Sequence, residues 1–171
     1  MTSKQRLRRL QVLQHAEGYL ELGMAVQALT ALDALDEDAG QDGSSLYLRG
    51  EALRALERYD EAIVALREAA EVLPENIHLW MALGWCYKRT GHLEQAIEAL
   101  EMALAVEPAE AILYYNLACY SSLARHKSEA LDYLSQAFEL DGAYRDLVHQ
   151  EPDFDSLRHD PDFQALATVI V

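Results

Sequence analysis

The chain has 171 residues, a size for one domain, with 29 acidic against 14 basic side chains and a formal charge of −15. That balance excludes a general nucleic-acid binder, which needs a basic footprint, and argues against adhesion to anionic membrane. Hydrophobic residues make up 51%, dominated by Ala and Leu with scattered Val and Ile, which favours helix over sheet. The two cysteines, Cys86 and Cys119, are too few for a disulfide framework.

At the N-terminus Lys4, Arg6, Arg8 and Arg9 are followed by Gln11, Gln14, His15 and Glu17 rather than by an apolar run. The segment is therefore not a secretory signal. No stretch approaches the ~18 apolar residues of a membrane span. A cytoplasmic protein without membrane insertion is expected.

From Arg9 onward one pattern recurs every 34 residues. In 9–42 it is degenerate, with Ala16, Tyr19, Gly23, Ala28, Leu32 and Leu35 in place. The acidic tail Asp36–Gly43 lacks the alternating spacing of a calcium loop and reads as a solvated connection. In 43–76 the slots hold Leu46, Gly50, Leu53, Tyr59, Ala62, Leu66, Ala69 and Pro74, with Arg49 and Glu57 as substitutes. Asp42 and Asn76 each precede a first helix and are natural N-caps. The clearest copy is 77–110. There Trp80, Leu83, Gly84 and Tyr87 share one helical face, Gly91 breaks the helix, Ala96, Leu100 and Ala103 share the next face, and Pro108 ends it. Gly84 and Ala96 are small where the two helices would cross. In 111–144 Tyr114, Leu117, Ala118, Ala130, Leu134 and Ala137 fit, with Ser121, Arg125 and Gly142 as substitutes.

After Tyr144 the register ends. Glu151-Pro152 breaks a short helix, and Asp160-Pro161 supplies N-cap and first position of a last one. Phe154, Leu157, Phe163 and Leu166 are expected to cover the exposed end of the array, against Leu131, Leu134 and Phe138. Ala167–Val171 closes the chain on an apolar strip through which self-association is conceivable.

The order Trp, Leu-Gly, Tyr, Gly, Ala, a large apolar residue, Ala and Pro over 34 residues resembles the tetratricopeptide repeat. Four copies in register exceed the ~3 needed for a stable stack. The run Pro152–Phe163 also looks like a segment found at the ends of bacterial arrays of this family. The resemblance implies an all-α protein: a right-handed α-solenoid of antiparallel helix pairs. It would form a single domain over 1–171, with repeats at 9–42, 43–76, 77–110 and 111–144 and a helical C-terminal cap at 145–171.

Catalytic chemistry finds no support in the residues. None of the six histidines has a second ligand at metal-binding spacing. Cys86 and Cys119 are 33 apart, one short of a repeat, and so lie on different helix faces as packed thiols. Ser44-Ser45 and Ser121-Ser122 lack a glycine elbow and a nearby base. No cofactor, metal or catalytic residue is expected.

In tetratricopeptide proteins the first helices line a concave groove. Carried over position by position, that groove would be lined here by Leu13, Tyr47, Arg54, His78, Met81, Trp85, Lys88, Arg89, Ile112 and Tyr115. Leu13, Tyr47, Met81 and Tyr115 recur at one repeat position as an apolar stripe, Trp85 lies beside it, and Arg54, Lys88 and Arg89 form a basic edge. Aromatic and Met side chains of this kind concentrate binding energy. Two alternatives stay open: a C-terminal or N-terminal helix of the chain covers the stripe, and the cations pair with Glu51, Glu57 or Glu94. The two-carboxylate clamp that binds chaperone tails is absent, since its positions hold Leu13, Glu17, Leu48, His78 and Ala82. The expected function is a non-enzymatic protein–protein interaction module holding a peptide or helix. The competing readings are a small acidic chaperone for a secreted or assembling client, and a self-assembling structural unit.

Overall fold

The computed structural model describes residues 2–35 and 42–168. The acidic stretch 36–41 and the final residues 169–171, which include most of the apolar strip, lie outside the described residues. The described residues are all-helical, in antiparallel pairs of the α-solenoid class, without strands. The chain divides into two compact units, Met1–Thr90 and Gly91–Val171.

The first unit holds α1 (Ser3–Glu21), α2 (Ala25–Asp33), α3 (Gly43–Ala55), α4 (Tyr59–Val72) and α5 (Ile77–Arg89). Helix α1 starts before the first repeat because Thr2 and Gln5 form a capping box, each side chain accepting from the other's backbone N–H. Each helix packs on the next, and the first helices α1, α3 and α5 also touch in sequence. Ala16, Ala25, Ala28, Leu32 and Ala52 form a buried cluster. Asp42 accepts the Ser44 and Ser45 N–H groups at 3.0 and 3.3 Å, and Asn76 accepts that of Leu79 at 3.2 Å, so both expected caps are made. A close helix approach that glycine makes possible is at Gly50, where a Cβ would fall 2.5 Å from the Leu66 Cγ. Leu66 is fully buried, so it has little room to yield.

The second unit holds α6 (Leu93–Val106), α7 (Ala111–Leu123), α8 (Lys127–Leu140), α9 (Tyr144–Val148), a 3-10 turn (Pro152–Phe154) and α10 (Pro161–Ala167). Leu113, Leu117, Ala118, Ala130, Leu134 and Ala137 are fully buried. The same turn geometry recurs along the chain. Gly23, Glu57, Gly91 and Arg125 all have positive φ, at +71°, +58°, +81° and +67°. A left-handed residue closes each helix pair, and two copies use a side chain that adopts this conformation at a cost. The aromatic slot recurs too: Trp80 Nε1 donates to the Pro74 carbonyl at 2.7 Å, and Tyr114 Oη to the Pro108 carbonyl at 3.1 Å. An aromatic with a donor thus ties each of these first helices to the proline that precedes it.

The C-terminal segment departs from expectation. Helices α9 and α10 do pack on α8, but the 3-10 turn lies on α7, the first helix of its pair. Phe154 is the cause. Its side chain is fully buried, with ring centroids 5.9 Å from Tyr115 and 5.5 Å from Phe163, so burying it draws the turn across to α7. Leu134 and Phe138 are buried as expected, and the Arg145 guanidinium stacks 4.9 Å from the Phe138 ring.

Candidate binding face

Within the first unit, α1, α3 and α5 bring one helix face together. Leu13, Tyr47 and Met81 occur at one repeat position on these helices and are half-buried. Leu13 is partly spent on structure, since it packs against the Ala16–Leu32 cluster. His78 and Trp85 are exposed, Trp85 to 40%. An indole standing half out of a helix face is the largest apolar surface on α5 not already covered.

The cations beside this face are arranged differently from a simple basic edge. Lys88 sits over the Trp85 ring, its Nζ 5.4 Å from the centroid. Arg89 turns to the second helix of the preceding pair and lies 5.4 Å from the Tyr59 ring. Arg54 is held by Glu51 through two hydrogen bonds of 3.0 and 2.9 Å, one of the pairings left open above. The fork-on-carboxylate geometry explains why that carboxylate wins: Glu51 lies three residues back on the same helix. Donating these hydrogen bonds to the Glu51 carboxylate raises the Arg54 pKa further. Burial, with a smaller push from the Glu51 charge, drives the Tyr47 phenol up to about 12, against the pull of Arg54. Burial likewise lifts the Cys86 thiol to about 11. Cys86 and Cys119 are both buried and stand outside any disulfide.

The second unit is different. Ile112 is half-buried, but Tyr115, expected on an open groove, is only 6% exposed. Tyr144 stacks on it with centroids 4.7 Å apart, and Phe154 meets it edge-on at 72°. Burial raises the Tyr115 phenol pKa well above its ordinary value. Further along α7, Ser122 Oγ donates to the Asp153 carbonyl at 2.8 Å. The chain's own C-terminal segment thus occupies this first-helix face, the alternative of self-coverage left open above. Arg158 holds the segment in its turn, donating to the carbonyls of His149 and Glu151 and to the Asp155 carboxylate. Tyr144, Asp153 and Phe154 were not placed on this face by their spacing, because the repeat register ends at Tyr144. The one available signal was Tyr115, an aromatic at a first-helix surface position with an aromatic-bearing tail after it.

Among the described residues no group of three or more His, Cys, Asp or Glu side chains is placed to hold a metal ion. No described helix is long and apolar enough to cross a membrane.

Residues 53–118 match the family profile described as tetratricopeptide repeat. The solved structure of MamA (41-end) from Desulfovibrio magneticus RS-1 superposes with a TM-score of 0.78 at 21% identity, covering 98% of this chain and 91% of that one. YrrB, described as a TPR protein with an unusual peptide-binding site, superposes with a TM-score of 0.71 at 21% identity over 79% of this chain and 70% of its own. These identities show a shared fold. In sequence, a probable UDP-N-acetylglucosamine–peptide N-acetylglucosaminyltransferase, SPINDLY, from Hordeum vulgare is 29% identical over 127 residues, 70% of this chain and 13% of the relative. The chain spans 6 to 14% of the length of the curated relatives it matches.

Proposed function

This chain is a tetratricopeptide-repeat protein, and we propose that it is a non-enzymatic interaction module that holds a segment of a partner protein on the first-helix face of α1, α3 and α5. One observation carries the reading: Trp85 stands 40% exposed on this face, beside the half-buried Met81 position. The equivalent face of α7 is already covered by the chain itself. An exposed aromatic on a rigid helix is the kind of side chain in which binding energy concentrates. The fold supports the reading at the level of the family, and YrrB, a neighbour of the same fold, is described as having a peptide-binding site.

The absence of catalysis in this reading rests on what the candidate nucleophiles do. The Cys86 thiol is buried with a raised pKa, and the Ser122 hydroxyl is engaged by the Asp153 carbonyl. Neither group is activated for attack.

The test places a photo-crosslinking residue at Met81 and, as a control, at Val64, which is exposed on the second helix α4. The Met81 variant should capture a partner that the Val64 variant does not, with Trp85→Ala abolishing the capture. Equal capture at both positions would reject this face.

A further inference from the structure

We propose that the basic start of α1 docks on the acidic exposed side of α6 in a second copy of this chain. Charge is unevenly divided along the sequence. Residues 1–16 carry four of the 14 basic side chains, Lys4, Arg6, Arg8 and Arg9, and none of the 29 acids. The rest of the chain sets the other ten cations against all 29 acids, a formal −19. Helix α1 is also longer than the other first helices, 19 residues against 13 in α3, α5 and α7. Its extra turns run ahead of the repeat and are held helical by the Thr2–Gln5 capping box. Lys4, Leu7, Arg8 and Gln11 fall on one helical face and are all exposed. Leu10 adjoins them, with Arg6 four residues before it. Leu7 and Leu10 are 60% and 50% exposed, so this end of α1 presents two leucines between cations. Arg9 lies 3.7 Å from Asp42, and Arg8 donates to the Ala34 carbonyl at 3.4 Å. Lys4 and Arg6 have no ion-pair partner among the described residues.

The complement of this surface offers carboxylates one helical turn apart, an apolar side chain beside them and no competing cation. Of the second helices, α6 fits. Glu94, Glu98 and Glu101 fall four and three apart on its exposed side, Met102 beside them is 47% exposed, and Leu93–Val106 contains no Lys or Arg. Helix α4 carries Arg67 among its acids, α8 begins at Lys127, and the one acid of α2, Asp33, pairs with Arg49. Tyr133 donates to Glu101 at 3.0 Å, and His126 Nε2 stands 3.3 Å from Glu94, whose side chain stays 71% exposed. Glu98 has no hydrogen-bond or ion-pair partner among the described residues. Lys4 and Arg8 lie ~6 Å apart along their helix axis, as do Glu94 and Glu98, so the two ladders match in spacing. Two copies repel at long range, but at ~0.1 M salt the Debye length is ~10 Å, so distant charges are screened while pairs in contact are not. The two surfaces differ, so the contact is heterologous, and each added copy leaves a further α1 or α6 to bind until a ring closes.

Sedimentation velocity of the full chain tests the proposal. At ~0.1 M salt the mean mass should rise with concentration up to ~0.5 mM, and at ~1 M salt, where screening reaches ~3 Å, association should weaken about tenfold. Lys4→Glu with Arg8→Glu, and separately Glu98→Lys with Glu101→Lys, should each leave the chain monomeric. All four side chains are exposed, and circular dichroism checks that both variants fold. Mixed together, the two variants should associate again, because each then meets a surface of opposite charge. A wild-type chain that stays monomeric at ~0.5 mM overturns the proposal. So does a mixture of the two monomeric variants that fails to associate. Association lost with the α1 variant but kept with the α6 variant places the acidic complement elsewhere and rejects the α6 surface. A chain that stays monomeric but binds vesicles of anionic phospholipid through Lys4 and Arg8 makes a lipid surface the occupant, and rejects the second copy. Trp85→Ala should leave association unchanged, which separates this contact from the α5 face. Association lost with Trp85→Ala would reject the α1–α6 contact.

Discussion

Phe154 stands edge-on against Tyr115, with ring centroids 5.9 Å apart and planes at 72°. Phe154 is fully buried, Tyr115 nearly so, and Phe163 closes the cluster from the other side. This contact decides which helix face of the second unit is open and which is covered. Removing the ring by Phe154→Ala should cost about 3–5 kcal/mol, the usual range for a buried aromatic. Denaturant unfolding measures it. A loss under 1 kcal/mol would mean that the segment is not held by this ring.

Gly50 and Leu66 set the crossing of α3 and α4. A methyl group added at Gly50 meets the Leu66 Cγ at 2.5 Å, inside any permitted contact. Gly50→Ala should therefore destabilise by about 1–3 kcal/mol despite the better helix propensity of alanine. Combining it with Leu66→Ala should cost less than the two changes summed, because the second removes the clash of the first. Strict additivity would place the strain elsewhere.

Glu57 and Arg125 occupy the left-handed turn position that Gly91 fills without strain, with φ of +58° and +67°. Relief of this strain is worth about 1–2 kcal/mol, partly offset by the greater freedom of glycine in the unfolded chain. Glu57→Gly and Arg125→Gly should each raise the melting temperature modestly, and Gly91→Ala should lower it. Scanning calorimetry of the three variants compares them directly.

The start of α10 should be sensitive to acid. Asp160 accepts the Asp162 and Phe163 N–H groups at 3.0 and 3.3 Å and pairs with the Lys127 ammonium at 2.6 Å. Lys127 is the main reason the Asp160 pKa lies below its ordinary 3.8, with the backbone donors assisting. A carboxylate with a depressed folded pKa contributes stability above its unfolded pKa and loses it as pH falls through the folded value. The protection of α10 amides against hydrogen exchange, taken relative to their intrinsic rates, should fall below pH 3.8 in the wild type. In Asp160→Asn, which keeps a capping oxygen but no charge, the pH dependence should be weaker. Lys127 responds at the opposite end: its pKa is raised by Asp160 and Asp162, so its contribution is lost as pH rises through that raised value.

Much of the fold is legible in the sequence because the repeat is a local code. The spacing of Trp80, Leu83, Gly84 and Tyr87 sets a helix face, Gly91 its end, and Asp42, Asn76 and Asp160 the starts of α3, α5 and α10. Each of these depends on residues within about one or two turns, where periodicity and capping chemistry act directly. Helix α3 begins at Gly43, α5 at Ile77 and α7 at Ala111, each 34 residues after the last, as the pattern requires.

What the tertiary structure alone decided is the use made of the surfaces those helices present. Trp85 and Tyr115 are both aromatic side chains on first helices, yet one is exposed and the other buried. The difference comes from Tyr144, the last residue of the fourth repeat, and from Phe154, which returns from 39 residues further along the chain, outside any repeat. In the same way Arg54 faces Glu51 while Arg89 crosses to Tyr59, a choice among several cations and acids at permitted spacing. Composition and period specify which side chains are available on a face. Which partner covers them depends on where an aperiodic segment finds the largest burial, and that is a property of the folded chain as a whole.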